Sequence, residues 1–180
     1  MSDISQSSQN GQKSHGVLSP SSCFAPLAHD DARILILGSL PGQRSLQEQQ
    51  YYAHPQNAFW RIMRELVGAD GDYQQRCDTL IANRIALWDV LAESVRPGSM
   101  DSDIDMNTAR PNDFESLLRQ CPKIERVCFN GKKAAQMFAK FVGQGGLSDG
   151  KTLVTLPSTS PAYAVMPYEE KLAHWRDVLQ

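Results

Sequence analysis

The strongest constraint in this chain is Ile34-Leu35-Ile36-Leu37, four apolar residues in succession, partly β-branched and stopped at once by Gly38. A run that short and that uniformly apolar suits a strand covered on both faces; a half-exposed strand would alternate, and a membrane helix needs roughly 18 apolar residues. Similar strands are expected at Ile85 to Asp89, Arg126 to Asn130 and Lys151 to Leu156. Helical patterns fill the intervals, over Ala58 to Val67, Tyr73 to Ala82, Asp113 to Gln120, Lys132 to Phe141 and Tyr168 to Leu179. Strand and helix alternate, which predicts an α/β fold whose parallel sheet is covered on both faces.

At 180 residues the chain has enough length for one core and too little for two comfortable domains. Residues 1–22 hold eight serines, three glutamines and almost no large apolar side chain, so a flexible tail is expected over 1–23 and a single domain over 24–180. Eighteen Lys and Arg against 20 Asp and Glu leave a net charge of -2, so no overall basic field announces nucleic acid, although a local basic face stays open. Cys23, Cys77, Cys121 and Cys128 form no C-x-x-C pair and have no histidine at zinc-finger spacing, which argues against a metal or iron–sulfur site. The N-terminus lacks the order of a secretory signal, so reduced, buried cysteines and a cytoplasmic location are expected, with no membrane partner.

In open parallel sheets the ligand crevice lies beyond the carboxyl ends of the strands, here just after Leu37, Trp88, Phe129 and Leu156. Gly38-Ser39-Leu40-Pro41-Gly42 forces a tight turn that exposes main-chain N–H groups, yet its G-x-x-x-G spacing matches neither the dinucleotide fingerprint nor the phosphate loop. Tyr51 through Arg61 is dense in aromatics and in polar groups, the two kinds of contact that a flipped base needs. Within it Phe59 and Trp60 read best as core, and Asn57 stands at the expected N-cap, where it could cap a helix or face a ligand. Leu156-Pro157-Ser158-Thr159-Ser160-Pro161-Ala162 offers small hydroxyls suited to phosphate oxygens, or is an ordinary Ser/Pro loop. Asp89 could accept hydrogen bonds from a base or be a solvated strand end, and Asn130-Gly131-Lys132-Lys133 could bring cations to phosphates or simply start a helix.

Taken together, these five segments, including Leu87-Trp88-Asp89-Val90-Leu91, resemble the uracil-DNA glycosylase superfamily, with the hypoxanthine-DNA (DNA-deoxyinosine) glycosylases as the nearest branch. The resemblance runs from about Phe24 to Gln180, and its most specific element is the A-H-P-x-N-x-F-W stretch. It implies a three-layer α/β/α fold and a monofunctional DNA repair enzyme. Such an enzyme flips a deaminated base out of double- or single-stranded DNA and hydrolyses its N-glycosidic bond to leave an abasic site. No cofactor is implied, and a monomer is expected.

Position by position, the resemblance implies a base pocket formed by Gly38, Ser39, Leu40, Pro41, Gly42, Tyr52, His54, Asp89 and Asn130, with the Tyr52 ring stacked on the base. It implies DNA contacts from Lys132, Ser158, Thr159, Ser160, Pro161 and Tyr163, with the loop to Met166 probing the gap in the duplex. Asn57 falls on the asparagine this branch is thought to use in catalysis, which tips it from cap to catalyst. Many relatives carry Asp or Asn where Leu40 stands; leucine holds no water, and the hypoxanthine branch is itself apolar there. Two other functions remain to be weighed: a mainly uracil-acting glycosylase, and a DNA-binding module of the same fold without chemistry.

Overall fold

A computed structural model describes residues 20–98, 100–143, 146, 147 and 149–179. In chain order the elements are β1 (Ser21–Ser22), β2 (Ile34–Gly38), α1 (Gln43–Glu48), α2 (Phe59–Val67), α3 (Tyr73–Ala82), β3 (Ile85–Asp89) and β4 (Leu91–Ser94). A 3-10 turn at Asp101–Asp103 follows, then β5 (Arg110–Pro111), α4 (Phe114–Gln120), β6 (Arg126–Asn130), α5 (Lys132–Phe141), β7 (Thr152–Leu156) and α6 (Tyr168–Leu179). The main sheet is parallel in the order β3-β2-β6-β7. The apolar run of β2 thus lies at its centre, in register with β3 from Ile34↔Ile85 to Gly38↔Asp89 and with β6 from Ile34↔Arg126 to Leu37↔Phe129. From β2 the chain moves outward to β3 and then returns to β6 on the other side. That reversal is where such sheets open a crevice.

Covered faces were expected of all four strands, and β7 departs from this. It is an edge strand with Thr152, Leu153 and Thr155 exposed, and its Thr-Leu-Val-Thr-Leu sequence carries hydroxyls that a fully covered strand would have to satisfy. The opposite edge strand, β3, is buried throughout because the chain before β2 lies along it. Leu27 and Leu87 exchange N–H···O bonds of 2.9 and 2.8 Å, and the Trp88 indole donates to the Phe24 carbonyl at 2.9 Å. That cover satisfies part of an edge that would otherwise present free main-chain groups.

A second, antiparallel sheet in the order β1-β4-β5 was not expected. Ser21 and Ser22 pair with Ser94 and Glu93, and the Cys23 N–H donates to the Ala92 carbonyl at 2.7 Å, so part of the segment read as a flexible tail is a strand. Main-chain hydrogen bonds alone hold two serines there, and such a strand leaves no apolar pattern to read. The rest of that segment, through residue 19, lies outside the described residues.

The helical layer closes over Phe59 and Trp175, both fully buried, whose rings meet edge to face at 6.0 Å. The Trp175 indole also donates to the Pro157 carbonyl at 3.0 Å, tying α6 to the loop after β7. Cys77, Cys121 and Cys128 are buried free thiols. Among the described residues no helix is long and apolar enough to cross a membrane. Replacing Trp175 with alanine removes both its packing and its hydrogen bond, and should lower stability by about 3–5 kcal/mol in urea denaturation.

Candidate active site

The carboxyl ends of β2, β3, β6 and β7 open into one cavity of about 760 Å³. Its floor is the turn after β2, and how that turn is held decides what it offers. The carbonyls of Gly38 and Ser39 accept from Val90 N–H at 2.9 Å and Leu91 N–H at 3.0 Å. Those of Leu40 and Pro41 accept from the guanidinium of Arg96, with 3.2 Å to Leu40. Every peptide bond described is trans, so each tethered carbonyl sends the next residue's N–H the opposite way. The amides of Ser39 and Leu40 are thereby turned from Val90 and Leu91, and that of Gly42 from Arg96. The Ser39 hydroxyl donates to Asp101 at 2.5 Å and is not free for a ligand. Leu40 is itself buried and gives the floor an apolar side chain.

Tyr52 enters the cavity through a strained backbone, with φ at 53°. For a tyrosine that conformation costs on the order of 1–3 kcal/mol. The preceding Tyr51 is held on both sides: its N–H donates to the Tyr73 hydroxyl at 3.0 Å, and its carbonyl accepts from the Trp60 indole N–H at 2.7 Å. The Tyr52 ring stacks on Phe59 at 4.1 Å, and its hydroxyl is buried without a partner among the described residues. A side chain at position 38 would collide with Asp89 Oδ1 and come within 2.9 Å of that hydroxyl, so Gly38 is required by close approach.

The opposite wall is joined by buried amides. Asn130 Oδ1 accepts from Thr159 N–H at 2.8 Å, and Asn130 Nδ2 donates to the Thr159 hydroxyl at 2.8 Å. The Thr159 carbonyl in turn accepts from Ala58 N–H at 3.0 Å. Beside that junction stands Asn57, one residue before the observed cap of α2 rather than at it. Its N–H donates to the His54 carbonyl at 2.8 Å and its Oδ1 accepts from Phe59 N–H at 3.0 Å. Asn57 therefore supports the helix start and still borders the cavity, with one Oδ1 lone pair and the Nδ2 hydrogens unspent among the described residues.

Asp89 is only 4% exposed, so the reading of a solvated strand end is corrected. Burial is the main force raising its carboxyl from 3.8 to about 7; the neighbouring Asp101 pushes the same way, while Cys23 and Arg96 oppose. The Cys23 thiol lies 3.6 Å from Oδ2. Burial likewise lowers the Arg96 guanidinium, whose Nε has no partner among the described residues.

The uracil DNA glycosylase superfamily model matches residues 25–180. The chain belongs to that superfamily. It is 41% identical over 125 residues to a hypoxanthine DNA glycosylase of Methanosarcina acetivorans, covering 68% of this chain and 78% of the relative. A protein of the same description from Methanosarcina barkeri is 40% identical over 116 residues, 63% of this chain and 72% of its own. The solution structure of a candidate uracil DNA glycosylase from Methanosarcina acetivorans superposes with a TM-score of 0.74 at 35% identity, over 89% of this chain and 97% of its own. The three-layer α/β arrangement is that of the superfamily.

Every site residue expected from sequence borders this cavity. Several are nonetheless committed to the protein itself. Thr159, expected to touch DNA, is 1% exposed and bonded to Asn130, which gives it one Nδ2 hydrogen and one Oδ1 lone pair and keeps the others. Ser158 and Ser160 use their hydroxyls to accept from Ser160 N–H and Ala162 N–H, each at 3.2 Å, so they shape the loop. Pro161, Tyr163, His54 and Lys132 remain at the accessible rim. Sequence reasoning missed Arg96, Met100 and Asp101, which also border the cavity. No local pattern marks Arg96 for burial: it precedes Pro97-Gly98 and a run of acids, and reads as a solvated turn.

The raised Asp89 carboxyl has a defined effect on stability. Between about pH 4 and 7 the folded chain holds a proton that the unfolded chain has released, so stability falls as pH rises, by on the order of 1.4 kcal/mol per pH unit for one such group. Asp89→Asn removes that term. Its Tm should exceed the wild-type Tm above pH 7, with the two curves converging as the pH is lowered toward 4.

Proposed function

We propose that this protein excises hypoxanthine from deoxyinosine in DNA, leaving an abasic site. The observation that carries this reading is Asn57, held by its neighbours on the wall of a cavity that also presents the Tyr52 ring and the turned-out amides after β2. Cleaving the N-glycosidic bond builds positive charge on the sugar and negative charge on the base, and both need partners fixed in advance. Asn57 positions water at the anomeric carbon through its unspent carbonyl lone pair. Amides of the first turn, with His54 or Asp89, hydrogen-bond the base, and Tyr52 stacks on it. Leu40 supplies no base to the water, so the DNA phosphates themselves stabilise the sugar cation.

Hypoxanthine pairs poorly, which lowers the cost of extrusion and contributes selectivity. Lys132, Ser158, Ser160, Pro161 and Tyr163 meet the lesion strand, with Thr159 holding their loop in place. The reaction uses neither metal nor cofactor. The protein acts as a monomer, in the cytoplasm and on nucleoid DNA.

Excess protein incubated with end-labelled duplexes containing one deoxyinosine or one deoxyuridine, followed by alkali, tests the reading. Breakage at deoxyinosine is expected to be the faster. Asn57→Ala should slow it by at least about 10²-fold, the scale of one lost transition-state contact. Faster breakage at deoxyuridine would make uracil the principal substrate. Intact strands despite lesion-specific binding would leave a binding module.

A further inference from the structure

Asp89 is placed unlike the other described carboxylates. It ends β3 directly beside Gly38, and its side chain is enclosed on one side by Cys23 and on the other by the cavity. Among the described residues no Lys, Arg or His nitrogen comes within ion-pairing distance of it, whereas Arg96, the nearest buried cation, spends its hydrogen bonds on the carbonyls of Leu40 and Pro41. Oδ2 has the Cys23 thiol; Oδ1, the oxygen that crowds Gly38, has no hydrogen-bond partner among the described residues. An unpaired carboxylate in such a place is costly, and a carboxylic acid with an unengaged oxygen at a ligand cavity is a proton donor.

The groups around it hold it in that form. Cys23 and Tyr51 are themselves raised by burial and stay uncharged, as does Tyr52. Asp101 adds a negative charge that opposes ionisation, while Arg96 favours it. The cavity rim adds Arg44, His54, Lys132, Lys133 and His174, and Arg44 is already paired with Glu48 at 2.7 Å. Asn112 donates to the Asp89 main-chain carbonyl at 2.8 Å.

We infer that Asp89 is the general acid of the reaction, giving its proton to the leaving base from Oδ1. This step rests on the glycosylase reading above and goes beyond a hydrogen bond to the base. The bond between the sugar anomeric carbon and the base nitrogen breaks, and its electron pair leaves with the base. The Asp89 proton moves to an acceptor nitrogen of the purine, so the base departs neutral. Water forms the new carbon–oxygen bond and loses one proton to solvent, and one proton from solvent restores Asp89. Because the base carries away no charge, a neutral Asn57 suffices on the sugar side.

Two measurements on the full chain decide this. The first follows the side-chain carboxyl carbons by NMR between pH 4 and 9, with Asp89→Asn identifying the Asp89 resonance. A titration step near neutral pH is expected, and a step in the ordinary carboxylate range would overturn the inference. The second measures single-turnover base release from a deoxyinosine duplex across the same range. The wild-type rate should be level in acid and fall tenfold per pH unit once Asp89 ionises; Asp89→Asn should be flat and about 10²–10⁴-fold slower in acid, the usual contribution of a general acid. An Asp89→Asn rate and profile equal to wild type would overturn the step alone. Failure of the wild type to release base from any lesion would overturn the glycosylase reading and this step with it.

Discussion

The mouth of the sheet is organised by the buried amide of Asn130. Its two hydrogen bonds to Thr159, and the bond from Ala58 N–H to the Thr159 carbonyl, join the end of β6, the loop after β7 and the start of α2 within a few residues. Asn57 is the next residue out, so its position is inherited from that junction. A buried amide of this kind is directional in a way that apolar packing is not. Losing either partner leaves the other unsatisfied, at about 1–3 kcal/mol. Gly131 makes the junction possible: its φ of 101° and its closeness to Ser158 leave no room for a side chain.

Three departures from low-energy structure meet at this cavity. Among the described residues the Tyr52 hydroxyl and the Arg96 Nε have no partner and the Asp89 carboxyl has no ion pair, and Tyr52 also has a left-handed backbone. Each costs stability, and all three border the same space. Elsewhere the core is apolar and closed, around Phe59, Trp175 and the strand β2. Stability is supplied by one part of the fold and spent at another, the pattern expected where groups are held ready for chemistry.

The main sheet and its helices were legible because burial on both faces writes an unbroken apolar run, and helical faces write a period of their own. Five of the nine expected elements, such as Ile85 to Asp89 and Tyr73 to Ala82, match their observed bounds, and the others shift by a single residue at one end. The small second sheet was not legible, since Ser21–Ser22 and Arg110–Pro111 are held by main-chain bonds that no side-chain pattern records. α1, six mostly exposed residues of polar sequence, left no apolar stripe either. At the site, residue identity pointed to the right neighbourhood, but not to which groups are spent. That Thr159 is consumed by Asn130, or that Asp89 is enclosed rather than solvated, depends on contacts made across 29 and 66 residues of sequence.

Charge explains how a chain with a net charge of -2 can address a polyanion. Lys132, Lys133, His54 and His174 stand around the cavity, and Arg61, Arg64 and Arg76 line a neighbouring recess that shares Tyr52, His54 and Asn57 with it. Phosphates within a Debye length of about 8 Å of Lys132, Lys133 and these arginines feel their charges directly, with Asp101 and Asp70 standing among them. A carboxylate at Asp89 would work against this field at the very point where the base must enter and negative charge must develop. A neutral acid there removes that conflict, and burial beside Cys23, Tyr51 and Tyr52 favours that form. The same enclosure that lowers the stability of the fold above neutral pH is therefore what makes the cavity fit for a leaving base.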